Sequence, residues 1–163
     1  MRFTRTLFLL SLPLGLLSLF GCAHVSASSY QEAPPGQLLS PPPNFDTANF
    51  SVQWPRPLSE RDKINYLLDR IAHSENQFIR NSEIYDGKAA RGWFLYKRAH
   101  WVQGEVGTAE DFIKRVTTFS QKTGKLYLVK SSEGEIFTVR SVLKNELSAL
   151  EAHTHSAPAE PTA

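Results

Sequence analysis

Thiols are almost missing from this chain of 163 residues, which has one cysteine, Cys22, and one methionine, the first residue. A lone cysteine excludes any disulfide within the chain, so the folded part must hold by packing, hydrogen bonds and charge pairs. Long apolar runs are missing too. The longest, Leu7 to Phe20, is broken by Pro13 and Gly15 and falls short of the roughly 20 residues that a membrane-spanning helix needs. Excess charge is absent from most of the chain. Of 18 basic residues, Arg2 and Arg5 precede Cys22, which leaves 16 against 16 acidic residues in the remainder. That balance offers no electrostatic case for nucleic acid. Catalytic signatures are also lacking: no serine sits in a nucleophile elbow, and no histidine-carboxylate cluster has metal-ligand spacing.

What is present begins with a leader. Arg2 and Arg5 give a positive start, the apolar run follows, and Leu19-Phe20-Gly21-Cys22 closes it. This closing stretch resembles the lipobox of bacterial lipoproteins, in which the thiol is acylated and the cysteine becomes the new N-terminus. The resemblance implies a signal peptide over 1–21 and lipid attachment at Cys22, with each buried methylene contributing about 0.8 kcal/mol. Ala23, where an aspartate would retain the protein elsewhere, resembles the pattern of lipoproteins sent to the outer membrane. The expected location is therefore the periplasmic side of that membrane. Phe20 is bulky for a lipobox, and Val25-Ser26-Ala27 is an acceptable site for ordinary signal peptidase. A soluble periplasmic protein cut after Ala27 is the alternative.

From residue 22 to 58 the chain is rich in Pro, Ser, Ala and Gln, with Pro34-Pro35-Gly36 and Pro41-Pro42-Pro43. It reads as a semi-rigid tether. At roughly 3.3 Å per residue it could carry a domain up to on the order of 100 Å from the membrane. Near its end Phe45, Phe50, Val52 and Trp54 alternate with polar residues, which reads as a short segment packing onto the domain rather than as a peptide for a partner.

The spacing predicts one α+β domain over 59–150, with about four helices packed on a small two- to three-stranded antiparallel sheet. Ser59 and Asp62 form a variant capping box ahead of Ile64, Leu67, Leu68 and Ile71, an amphipathic helix through about Ser74. Phe78 to Asn81 reads as a strand, and Asn81-Ser82-Glu83 as the turn leaving it. Asp86 caps a second helix. Ala90, Phe94, Lys97 and Trp101 share a stripe of it, flanked by Trp93 and Tyr96, while Lys88, Arg91, Lys97 and Arg98 make it basic. Thr108 caps a third helix, with Glu110 and Asp111 in its first turn and Phe112, Ile113, Val116 and Phe119 as its buried side. Leu126 to Val129 and Ile136-Phe137 are further strand candidates. A last helix from about Thr138 buries Val139, Val142, Leu143, Leu147 and Leu150, and a disordered tail is expected over 151–163. Its His153-Thr154-His155 makes a poor metal site, and no metal or cofactor is expected.

The combination Ile64-Asn65-Tyr66-Leu67-Leu68, Phe78-Ile79-Arg80-Asn81 with Tyr85, Ala90, Phe94 and Lys97, Thr108 to Ile113, and Gly124 with Tyr127 resembles the bacterial family catalogued as domain of unknown function 5329, over about 60–150. The resemblance implies small exported proteins and transfers no activity or ligand. Many relatives carry cysteines near the positions of Asn76 and Ser131, which implies that the two strands lie side by side. This chain has neither cysteine.

A binding or scaffolding module of the cell envelope is the reading that follows, facing an unidentified envelope protein or polymer. Arg80, Asn81, Tyr85 and Lys97 are its candidate binding residues, because an apolar core does not itself demand an Arg-Asn pair or a lysine on an apolar stripe. Their structural alternative is plain: Arg80 and Asn81 cap a turn, and Lys97 lays its stem on the core with its head in water. A small-ligand carrier comes second, with little room for a cavity in about 90 residues. An enzyme acting on an envelope polymer comes third; no catalytic residue is assigned.

Overall fold

The computed structural model describes residues 30–45, 50, 53–54, 57–102, 104 and 106–156. Cys22, the leader and Val52 lie outside the described residues. The elements are α1 (Glu60–Ala72), β1 (Gln77–Arg80), β2 (Glu83–Tyr85), α2 (Gly87–His100), a helical turn α3 (Ala109–Asp111) continued by a π-helical turn (Phe112–Val116), β3 (Leu128–Lys130), β4 (Ile136–Thr138) and α4 (Val139–Ser156). The fold is α+β, with four strands in the sheet rather than two or three.

Local chemistry sets most of the helix starts. The Ser59 hydroxyl accepts from the Asp62 amide at 3.2 Å and the Asp62 carboxylate accepts from the Ser59 amide at 3.0 Å, closing the capping box. Asp86 accepts from Ala89 N at 2.8 Å, and Thr108 from Asp111 N at 3.0 Å. Behind these caps Ile64, Leu67, Leu68 and Ile71 of α1 and Ala90 and Phe94 of α2 are buried. The first residue of α2 has to be glycine: a Cβ on Gly87 would lie 2.1 Å from the Ile71 carbonyl oxygen.

The sheet runs β2-β1-β3-β4, antiparallel throughout. Asn81 and Ser82, at φ 54° and 75°, form a two-residue mirror-image turn that matches strand twist, so the predicted turn is the tip of a hairpin. Its return strand, β2, was not expected. Register aligns Tyr85, Phe78, Val129 and Phe137 in one row across the sheet, and the last three are buried. Gln77 pairs with Lys130, so Asn76 and Ser131 come next in register, and the Asn76 side chain donates to Lys130 O at 3.4 Å. The strands do lie side by side.

Three expectations need correction. The third helix does not continue regularly, because the Thr117 and Thr118 hydroxyls both donate to Ile113 O at 2.9 and 3.0 Å. They take the carbonyl that the next α-helical amide would use, and Thr117 N reaches back to Phe112 O instead. The chain beyond Leu150 stays helical to Ser156, since Glu151 accepts from the Lys63 ammonium at 2.8 Å and the His153 ring stacks on Phe45 at 4.8 Å. The largest correction concerns the supposed tether.

From Gln31 to Pro41 the Pro-rich stretch is a strap fastened along α4 and the free edge of β4. Gln31 bridges to Phe137 in parallel, donating to Ile136 O at 3.0 Å and accepting from Thr138 N at 3.1 Å. Ala33 N donates to the Ser141 hydroxyl, and the Asn145 side chain donates to Pro34 O and Gln37 O. Leu39 is 2% exposed. At its amide the Glu146 carboxylate, fully buried, accepts at 2.8 Å and also takes Arg70 through Nε and Nη2 at 3.0 and 2.9 Å and Tyr66 Oη at 3.1 Å. Arg70 Nη2 reaches on to Leu39 O and Pro41 O, both at 2.7 Å. Desolvation by burial and the Glu146 charge hold the Tyr66 hydroxyl far above the usual phenol range. Phe45, Phe50 and Trp54 then pack around Tyr66, as the alternation implied.

Glu146→Ala would strand the Arg70 guanidinium without its counter-ion. Unfolding free energy measured in urea should fall by about 3–5 kcal/mol, and limited proteolysis should cut first within residues 31–41. A fall under about 1 kcal/mol with no new cut there would contradict the strap.

Candidate functional site

Three of the four candidate residues converge on the aromatic stripe of α2. Trp93 lies 4.9 Å from Tyr127 and 5.9 Å from Tyr85 between ring centroids, and Phe94 meets Tyr127 edge-on at 5.3 Å. Arg80, on the core side of β1 at the end of its register, lays its guanidinium 5.4 Å over Trp93. Tyr85 donates to the Glu83 carboxylate beside it, which raises its hydroxyl above the ordinary phenol value. The aromatics fill this space rather than line it.

Lys97 departs from expectation. Its head is not in water: the side chain is 2% exposed, and Nζ donates to Val116 O at 2.8 Å and Phe119 O at 2.6 Å. The rings of Phe119 and Tyr127 stand 4.9 and 5.1 Å away. No carboxylate pairs with it among the described residues. Burial first, and the Arg80 charge second, lower it to about 8. An ammonium has three donors and a free amine two, so two carbonyls keep their hydrogen bonds in either state. Lys97 is thus a pin joining α2 to the end of the π-helical turn. Burial also pushes the Tyr127 hydroxyl up.

Asn81 stands apart from this group. Its Oδ1 accepts from the Thr123 hydroxyl at 2.5 Å, fixing the hairpin tip to the turn before β3. Asn81 and Lys97 thus each hold part of the fold in position through these hydrogen bonds.

Part of the aromatic set expected to pack inward is exposed instead. Tyr96 is 52% exposed, Trp101 37% and Phe119 41%. Tyr96 meets Trp101 edge-on at 5.7 Å and stacks on His100 at 4.3 Å. Phe119, expected to be buried on the third helix, is carried outward by the bend after Thr117-Thr118 and covers the Lys97 ammonium. Gln121 donates to Trp101 O at 3.0 Å, bringing the turn beside the helix end. The signal for this surface is the helical offset of Tyr96 from the Ala90–Phe94 line, whereas Trp101 lies on that line and is exposed because it stands at the C-cap, past the last residue of the helix.

A family model described as a family of unknown function (DUF5329) matches residues 58–151. The chain belongs to this family. The DUF5329 match begins at Leu58, ahead of the capping box, and ends at Glu151. Most of α1 through α4 is covered, whereas the strap lies before it. No curated protein and no solved structure matches the chain. Within the DUF5329 domain no helix among the described residues is long and apolar enough to cross a membrane, and no group of three or more potential metal-binding side chains gathers there.

Lys97 gives the domain a signed pH dependence. Between about pH 8 and 10.5 the unfolded chain holds a proton that the folded chain has released, so stability rises with pH across that window. Against a Lys97→Met variant, the parent's urea-derived stability should gain up to about 3 kcal/mol between pH 7 and 10.5. A difference that stays flat would refute the burial of a chargeable amine.

Proposed function

We propose that this DUF5329 protein is an exported, lipid-anchored module of the bacterial envelope that binds an envelope polymer through the C-terminal end of α2. The observation that carries this reading is the exposed, contacting pair Tyr96 and Trp101, with exposed Phe119 on a neighbouring turn, at the end of a helix that carries no acid and turns Lys88, Arg91 and Arg98 toward solvent. Exposed aromatics in contact with one another are costly to leave in water and mark interaction sites more often than scattered ones do. Edge-to-face rings offer flat apolar surfaces to the C–H faces of sugars, and a helix with cations and no acid does not repel carboxylates carried by the same polymer.

Support for a rigid platform comes from beneath. Lys97 and Gln121 tie the helix end to the turn that bears Phe119, so the rings are held in place before any partner arrives, which lowers the ordering cost of binding. Export and the lipid anchor rest on the leader and on Leu19-Phe20-Gly21-Cys22.

The test is co-sedimentation of the mature chain with purified peptidoglycan sacculi. A Tyr96→Ala/Trp101→Ala variant should fold as the parent does and lose at least about tenfold in affinity. Equal retention of parent and variant, or no retention of the parent, would overturn this reading.

A further inference from the structure

Two buried N–H groups meet without an acceptor where β1 faces α2. Arg80 Nε and Trp93 Nε1 are closed off from solvent and have no hydrogen-bond partner among the described residues, and the two belong to one stacked pair, the guanidinium lying 5.4 Å over the indole. A buried donor left unmet carries a free-energy cost that folded chains rarely accept. Turning the indole to find a partner is opposed by Tyr85 and Tyr127, which pack against it at 5.9 and 4.9 Å.

Charge around the pair is mostly of one sign. Arg80 forms no ion pair among the described residues, and Glu83, the acid in register with it across the hairpin, takes its hydrogen bond from Tyr85 instead. Lys97, buried without a carboxylate, adds a second positive charge, and the Arg80 charge contributes to lowering it. Donors in excess of acceptors, beside cations in excess of acids, are what an oxyanion needs. A guanidinium suits that role better than an ammonium would, because its planar fork of N–H groups fits two oxygens of a carboxylate or phosphate at once.

We propose that Arg80 and Trp93 form an oxyanion site between β1 and α2, which takes a carboxylate or phosphate group through the Arg80 fork and the indole N–H. The site is closed in the state described, with the guanidinium lying on the indole and aromatics filling the space beneath. No hydrogen bond holds the half-exposed Arg80 side chain there. An arriving anion therefore exchanges a ring contact for stronger charge-assisted hydrogen bonds as the guanidinium lifts and uncovers Trp93 Nε1. Trp93 is three residues from Tyr96, yet the site uses none of the exposed rings at the helix end, so it goes beyond the polymer reading and does not rest on it.

The experiment follows the indole N–H resonances of the isotope-labelled mature chain by NMR while sodium phosphate or sodium acetate is added, in separate arms, at an ionic strength held fixed with sodium chloride. The Trp93 resonance, identified with a Trp93→Phe variant, should move downfield and saturate in at least one arm by about 100 mM, where a site of about 10 mM affinity would be nearly filled. The indoles of Trp54 and Trp101 should stay in place. The arm that saturates at the lower concentration names the group as phosphoryl or carboxylate. Arg80→Met should weaken the response at least about tenfold, and Arg80→Lys, which keeps the charge and loses the fork, serves the same comparison if the methionine variant does not fold. A Tyr96→Ala/Trp101→Ala variant should keep the shift, so this site and the ring platform can fail separately. No saturable shift at Trp93 in either arm, an equal shift of all three indoles, or an unchanged response in the Arg80 variants would overturn the site.

Discussion

The fully buried Glu146 carboxylate, held by Arg70, Tyr66 and the Leu39 amide, is the interaction on which the rest of the structure depends. A carboxylate at 0% exposure is tolerable only when every lone pair facing the protein is met by a donor. Here the donors come from α1 and from the strap, and the acceptor from α4. One charge pair therefore fastens three parts of the chain that lie far apart in sequence. With the strap in place, Gln31 covers the edge of β4 that would otherwise present unpaired backbone groups, and only eight residues lie between it and Cys22.

A second buried charge organises the C-terminal end of α2. Lys97 occupies the carbonyls that the broken third helix leaves open, so the same event that ends the helix supplies the lysine's acceptors. The threonines at 117 and 118 and the lysine at 97 are parts of one arrangement, and Phe119 is turned outward as a consequence. Positioning residues such as Lys97 and Asn81 thus shape a surface made by other residues, Tyr96, Trp101 and Phe119. The exposed rings, more than the polar members of the family pattern, are what this end of α2 turns toward solvent.

Much of the fold was legible in the sequence because it is set locally. Ser59 with Asp62, Asp86 and Thr108 each accept hydrogen bonds from amides three residues on, and the apolar spacing of α1 and α4 needs no knowledge of the rest of the chain. The pairing of the strands around Asn76 and Ser131 was legible through the family resemblance. Other features depend on partners distant in sequence: Leu39 is buried because of Glu146, 107 residues later, and polyproline composition alone gives no sign of it. The hairpin was missed because β2 is three residues long and runs directly into the Asp86 cap. Lys97 looked like a snorkelling side chain, since its acceptors belong to a helix that ends irregularly.

Amide hydrogen exchange on the mature chain tests the central claim most directly, that the strap belongs to the folded unit. Protection of the Gln31, Ala33, Leu39 and Ser40 amides should match that of the β1 and β3 core within about tenfold, because they donate to Ile136 O, Ser141 Oγ, the Glu146 carboxylate and Asn76 Oδ1 along one fastened seam. Exchange of those four amides at the rate of an unstructured peptide, with the sheet still protected, would show that the strap is a free tether and that the account built on it is wrong.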